Sequence, residues 1–248
     1  PLEALDDSGV VGGIVLKSDS HTVKPLFFPG GDIGRLVISG TINDIAVMGA
    51  EPMALAAGLI LEEGLPIGDL ERILKSMGET CKEAGVPVIT GDTKVVEKGS
   101  LEKCMINTSG VGRKSKYLDG NIEIVKKYRP TFNSKWLVDS NIRDGDKILV
   151  SGTMGDHGVA ILSFREGYGF ESEIKSDVKP LNRLTEKLLQ VGGIVKMKDP
   201  TRGGLANLLN EWNEKSKVGI IVKQAEIPIS EGVRTACEML GLDPLEVG

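Results

Sequence analysis

Pro29-Gly30-Gly31-Asp32-Ile33-Gly34-Arg35, followed by Gly40-Thr41-Ile42-Asn43-Asp44-Ile45-Ala46-Val47-Met48-Gly49-Ala50-Glu51-Pro52, is the stretch whose reading decides the fold. It opens as a Gly/Pro loop and closes on a glycine followed by Glu-Pro, the usual start and stop signals of a helix. The apolar run between them predicts a helix of about three to four turns. Asn43 and Asp44 interrupt that run between Ile42 and Ile45. A carboxylate on an apolar helix must be paired, hydrogen-bonded or metal-bound, because burying it bare is costly. Two readings follow: a satisfied polar pair at the helix edge, or a metal or phosphate site.

The rest of the composition narrows the classes. The chain has 248 residues, 40% hydrophobic and 26% charged, which suits an ordinary globular protein and favours two domains. A net charge of -5 and only 4% aromatics argue against nucleic-acid binding by phosphate contacts or base stacking. No apolar run is long enough to span a membrane as a helix. Cys81, Cys104 and Cys237 are odd in number and in no metal spacing, so they read as reduced thiols and point to the cytoplasm. Pro1 and Gly248 read as cut ends, so a trimmed piece is expected.

Carboxylates recur at turns and strand ends. Asp6-Asp7 lies in a turn before a strand predicted over Val10 to Leu16, and Asp19 follows that strand beside His21. Met53 to Leu61 reads as a buried strand. Asp69 to Ala84 reads as an amphipathic helix capped by Asp69, with Leu70, Ile73, Leu74, Met77, Cys81 and Ala84 inward and Gly85 as its stop. Val86 to Thr90 predicts an edge strand delivering Gly91-Asp92-Thr93-Lys94 as a turn. That turn combines accessible backbone, carboxylate, hydroxyl and cation, the groups a phosphate with a divalent ion requires. Cys104 to Val111 is a further strand.

Residues 114–143 carry little periodicity beyond a short helix over Ile122 to Lys127, and read as a linker or insertion. They separate an N-terminal domain, 1–113, from a C-terminal one, 144–248. In the latter, strands are predicted over Asp146 to Val150 and Val218 to Val222. Helices are predicted over Val159 to Glu166, through Leu181, Leu184 and Leu188, over Leu205 to Lys215, and from the Ser230 cap to Leu240. The glycines of Ser151-Gly152-Thr153-Met154-Gly155-Asp156-His157-Gly158 do not have dinucleotide-fingerprint spacing, and no GxxxxGK[ST] loop exists. Arg202, in Asp199-Pro200-Thr201-Arg202-Gly203-Gly204 before a helix, suits an anion. Acid-rich turns in one half and basic or glycine turns in the other suit a nucleoside triphosphate held through Mg2+.

Seven pieces in order carry a family resemblance: Leu5-Asp6-Asp7-Ser8, Ser18-Asp19-Ser20-His21, Phe27-Phe28-Pro29-Gly30-Gly31-Asp32-Ile33-Gly34, Gly40-Thr41-Ile42-Asn43-Asp44, Gly91-Asp92-Thr93-Lys94-Val95-Val96, the Ser151 to Gly158 run and the Asp199 to Gly204 run. Together they resemble the aminoimidazole ribonucleotide synthetase, selenophosphate synthetase and thiamine-phosphate kinase superfamily, and within it the HypE carbamoyl dehydratases of hydrogenase maturation. The resemblance implies a two-domain α/β fold of the α+β type, with the N-terminal sheet pairing across a homodimer. It implies ATP and Mg2+ as cofactors, with Asp7, Asp19, Asp44 and Asp92 at the metal positions. Asp32, Asn43, Gly91, Thr93, Gly155, Asp156 and His157 are then expected to bind nucleotide, and Lys94 and Arg202 to neutralise the transferring phosphoryl group. The implied reaction is ATP-dependent dehydration of a carbamoyl group on the protein's own C-terminal cysteine to a thiocyanate, the cyanide source for [NiFe] hydrogenase. The implied partners are the carbamoyltransferase HypF and the HypC–HypD complex. That cysteine is expected beyond Gly248, so the present chain is expected to be inactive without it. The alternatives are another ATP-using superfamily member or a non-catalytic maturation scaffold. A selenophosphate synthetase would need a reactive cysteine near the N-terminus, and none precedes Cys81.

Overall fold

A computed structural model describes residues 6–169 and 174–247; Leu5 and Gly248 lie outside them. In chain order the elements are β1 (Gly9–Val11), β2 (Ile14–His21), β3 (Phe27–Phe28), β4 (Gly31–Asp32), α1 (Ile33–Ala46), β5 (Ala50–Glu62), α2 (Ile67–Ala84), β6 (Val88–Val96), β7 (Cys104–Lys114), α3 (Leu118–Tyr128), α4 (Asp156–Glu166), α5 (Asn182–Val191), α6 (Gly204–Ser216) and α7 (Glu231–Leu240). The chain is mixed α/β. It divides into two compact units: residues 1–23, 32–138 and 179–197 form the first, and 24–31, 139–178 and 198–248 the second. The units therefore do not follow the simple order 1–113, 114–143, 144–248.

The first unit is a five-stranded sheet, β1-β2-β7-β5-β6, antiparallel except for the β5–β6 pair, with α1 on one face. The predicted central helix is α1. Asp32 caps its start, its Oδ1 accepting from the Arg35 N–H at 2.9 Å. Gly49, at φ +84, ends the segment where the Gly49 N–H reaches Ala46 O. Ile33, Val37, Ile38, Ile42 and Ile45 are fully buried because α1 lies between the sheet and helices α2 and α5. Close approach needs missing side chains on β7. A Cβ on Gly112 would stand 2.4 Å from Ile45 Cγ2, and one on Gly110 would stand 2.6 Å from Ile45 Cδ1. Pro52 does not end the segment in a loop. It lies inside β5, where the register with β7 shifts between Pro52 and Ala54, the setting a sheet proline tolerates.

Three further expectations are corrected here. Residues 114–138 are not a linker: Leu118, Ile122, Val125, Phe132 and Leu137 bury with Leu189 into a core cluster. Helix α2 starts at Ile67, ahead of Asp69, and exposes Leu74 while half-burying Cys81; only Ile73, Met77, Thr80 and Ala84 are fully inward. Gly91-Asp92-Thr93-Lys94 is not a turn. It continues β6, because Ala57, Gly58, Leu59 and Ile60 of β5 supply its parallel partners.

The second unit holds α4, α6 and α7. Val159, Ala160, Ile174, Val233, Ala236 and Cys237 form its core. The expected strands over 146–150 and 218–222 do not form. No neighbouring strand takes up their backbone groups among the described residues, and Leu149 and Ile221 are left 83% and 92% exposed.

Candidate functional site

The polar interruption of α1 sits where three elements meet in the first unit. Alternation along β2 turns Val15, Lys17, Asp19 and His21 toward α1, opposite Gly112, Gly110, Thr108 and Ile106 of β7. Lys17 Nζ lies 2.5 Å from Asp44 Oδ2. Asp19 Oδ2 lies 3.2 Å from His21 Nε2. The turn before β1 is held onto α1 by Ser8, whose hydroxyl donates to Asp44 O at 2.7 Å. Asp7 of that turn meets Lys196 Nζ at 2.7 Å, and Lys196 also donates to Leu137 O. Gly40 makes room for this group: a Cβ there would stand 3.0 Å from His21 Nε2 and 3.5 Å from Asp19 Oδ2.

The electrostatics show what the cluster lacks. Burial pushes the Asp44 carboxyl up to about 6; Lys17 pulls it back, while Asp7 and Asp19 push it further up. Burial draws Lys17 down, but Asp44, then Asp19 and Asp7, outweigh it, so the ammonium is held above its ordinary value. Both partners of one ion pair thus hold their protons more firmly than usual. For Asp44 the cause is burial first and the neighbouring carboxylates last, while for Lys17 it is the three carboxylates, whose charge a further cation would offset. Burial draws the His21 imidazole below its ordinary range, against the pull of Asp19, and leaves Nδ1 without a hydrogen bond. Hard carboxylate oxygens are the donor set Mg2+ takes, so the chemistry fits the expected ion. Even so, among the described residues no three Asp, Glu, His or Cys side chains close on one point as a ligand set. Lys17 instead serves Asp44 directly and lies within the fields of Asp7 and Asp19.

Asp92 does not join the other three carboxylates. It lies in the register row Asp92–Gly58–Asn107–Ser20, with β5 and β7 between its strand and β2. Three strand spacings amount to about 14 Å, too far for one ion to be shared with Asp19. Gly91 has a structural reason to be glycine, since a Cβ would stand 2.3 Å from Ala57 O. Thr93 and Lys94 are exposed along the same strand.

The other expected nucleotide residues have protein partners within their own units. Asp32 caps α1. Asn43 accepts from the Leu181 N–H at 2.7 Å and donates to Lys179 O at 3.2 Å, fastening the segment that leads into α5. In the second unit Gly155, at φ +83, precedes α4. There Asp156 Oδ1 accepts from Ser230 while its Oδ2 is buried without a partner. His157 Nδ1 lies 2.7 Å from Ser176 Oγ, and its ring meets Phe28 edge-on at 5.5 Å. Burial draws its imidazole below the ordinary range, opposed by Asp177. Arg202 is exposed ahead of α6.

Sequence reasoning missed Lys17 and Lys196. The available signal was a lysine placed on the inward register of an alternating strand, and a lysine between apolar residues in Val195-Lys196-Met197. It also missed a second buried cluster, in the second unit. Asp139, 1% exposed, meets Lys215 at 2.6 Å, Lys198 at 3.5 Å and the Trp212 indole N–H at 3.1 Å.

Comparison with known proteins follows this geometry. Residues 5–114 match the AIR synthase related protein N-terminal domain, and 143–247 the C-terminal domain of the same family. The carbamoyl dehydratase HypE of Azotobacter vinelandii is 51% identical over 237 residues, covering 95% of this chain and 64% of the relative. A crystal structure of a HypE–HypF complex superposes with a TM-score of 0.89 at 46% identity, over all of this chain and 76% of that one. A structure of the hydrogenase maturation protein HypE in complex with ATP gives 0.86 at 44% identity, over all of this chain and 70% of that one. The chain spans about two-thirds of the length of the curated relatives it matches. With an AIR-synthase-related domain pair along its length and a carboxylate-bearing α1 at its centre, the chain belongs to the HypE family of hydrogenase maturation proteins.

Proposed function

We propose that the first unit takes ATP with Mg2+, and that the protein uses it to dehydrate a carbamoyl group on a C-terminal cysteine to a thiocyanate. The observation that carries this reading is the Lys17–Asp44 pair with the carboxylates of Asp7 and Asp19 acting on both partners, a concentration of hard oxygens that suits a divalent ion. The relative that carries the name carbamoyl dehydratase and the one solved with ATP support the reaction and the nucleotide. Asp7, Asp19 and Asp44 would hold the metal, which when bound offsets phosphate charge. In the reaction the γ-phosphoryl group passes to the carboxamide oxygen. Loss of phosphate and of the amide protons then leaves S–C≡N. Lys94 and Arg202 are the proposed groups for the phosphoryl charge, both being exposed cations.

HypF is the proposed carbamoyl donor, on the strength of the related complex, and HypC–HypD the proposed acceptor. A two-fold dimer through the uncovered face of the sheet is also proposed. Leu16 on β2 and Met53 on β5 stand 56% and 45% exposed, and β6 at the edge of the same sheet is exposed too, more apolar strand surface than a monomer tends to leave open. A cytoplasmic location is proposed from the three free thiols. Titration calorimetry with ATP, with and without EDTA, tests the central claim. Binding should need the metal and should be lost in Asp44→Ala; equal affinity in both conditions would reject it.

A further inference from the structure

The two lysines of the carboxylate cluster are not equivalent. Lys196 has a side chain only 1% exposed, tied to Asp7 Oδ2 at 2.7 Å and to a backbone carbonyl, so it is a fixed part of the core. Lys17 stands on an open strand with its side chain 21% exposed, and its ammonium touches Asp44 Oδ2 at 2.5 Å. A divalent ion on that oxygen would lie at about 2.0–2.6 Å from it, leaving no room for the ammonium at the same contact. The ammonium and the ion therefore compete for Oδ2, and an ion on the other oxygen would still face a like charge a few ångströms away. A lysine can vacate its position by rotation about a flexible four-carbon stem, without moving the strand.

We infer that Lys17 is a tethered stand-in cation, seated among Asp7, Asp19 and Asp44 in the nucleotide-free protein and displaced by the divalent ion that arrives with the nucleotide. This rests on the metal–nucleotide reading above and deepens it. Lys17 keeps the carboxylates together while the site is without nucleotide. It also makes the free protein a poor metal binder, so that the ion enters as the nucleotide complex rather than alone.

The test uses Mn2+ alone as the probe, followed by the electron paramagnetic resonance signal of the free ion, with no nucleotide present. Wild type, Lys17→Gln, Lys17→Arg and Asp44→Asn are compared, each checked for folding by circular dichroism. Lys17→Gln should bind Mn2+ about tenfold more tightly or better, since a unit charge a few ångströms away is removed. Lys17→Arg, which keeps the charge, should behave as wild type. If Lys17→Gln matches wild type while Asp44→Asn still weakens binding, the metal site stands and the stand-in role falls. If Lys17→Arg binds as tightly as Lys17→Gln, charge is not the cause and the inference is overturned. If Asp44→Asn changes nothing, the metal site itself is refuted and the inference goes with it.

Discussion

Asn43 offers the sharpest test of whether the central helix is built for ligand or for fold. It is 5% exposed, and its two side-chain groups are committed to main chain: Oδ1 to the Leu181 N–H at 2.7 Å and Nδ2 to Lys179 O at 3.2 Å. Asn43→Ala removes both partners at once and strands a donor and an acceptor in a part-buried setting. Each such group costs about 1–3 kcal/mol. Allowing for water reaching part of the segment, the expected loss is about 2–4 kcal/mol. Asn43→Asp keeps the acceptor for Leu181 but loses the donor to Lys179, so it should fall between wild type and Asn43→Ala. Urea unfolding by linear extrapolation reads the loss, and an unchanged slope would place it in the native state. Amide exchange at Leu181 locates it, because that N–H should lose its protection. A loss under about 0.5 kcal/mol with Leu181 still protected would refute the structural role and return Asn43 to the nucleotide.

Asp44 should give stability a pH dependence of defined sign. Its folded value near 6 exceeds the ordinary 3.8, so the native state binds the extra proton. That contribution is complete below 3.8 and is lost as pH rises through 6, a swing of about 3 kcal/mol that Asp44→Asn should flatten in denaturation series from pH 3.5 to 7.5. Gly112→Ala should cost about 1–3 kcal/mol by overpacking against Ile45, whereas Gly78→Ala, mid-helix with nothing within 4 Å, should gain about 0.5–1 kcal/mol; paired urea melts compare them. Asp139→Ala should lower stability by about 2–4 kcal/mol, since Lys215, Lys198 and the Trp212 N–H all lose an acceptor; Trp fluorescence during thermal unfolding reports it.

Helix α1 was legible because its evidence is local: a capping Asp32, an apolar run and a stopping Gly49. Strand β7 and helix α7 were legible for the same reason, the latter through its Ser230 cap and Gly241 stop. What local pattern could not reveal was pairing. Gly91 to Lys94 looks like a turn until β5 is known to lie beside it. Residues 146–150 look like a strand but have no neighbouring strand among the described residues. Asp7, Asp19 and Asp44 were legible as acids that recur at turns and strand ends, and the structure brings them near one another in the first unit. That Asp92 stands apart from them within the chain was not legible, because the register across four strands is a long-range property. Lys17 and Lys196 escaped because charge at an inward position is visible only once the inward face is known.

The interleaving of the two units has a consequence for how the molecule is made. The first unit is closed by residues 179–197, which supply Asn182, Leu189 and Lys196 to partners as early as Asp7 and Ala84. During synthesis residues 1–138 must wait for the forty residues 139–178 of the second unit to emerge before their core can be completed. Through that interval the Leu118 cluster lacks Leu189, and Asp7 lacks its ammonium partner. The second unit waits in turn on residues 24–31, made long before. Contacts of such sequence separation slow folding and lengthen the exposure of apolar surface. A cut in the chain near residue 143, natural as it looks from sequence, would release an N-terminal piece lacking part of its own core.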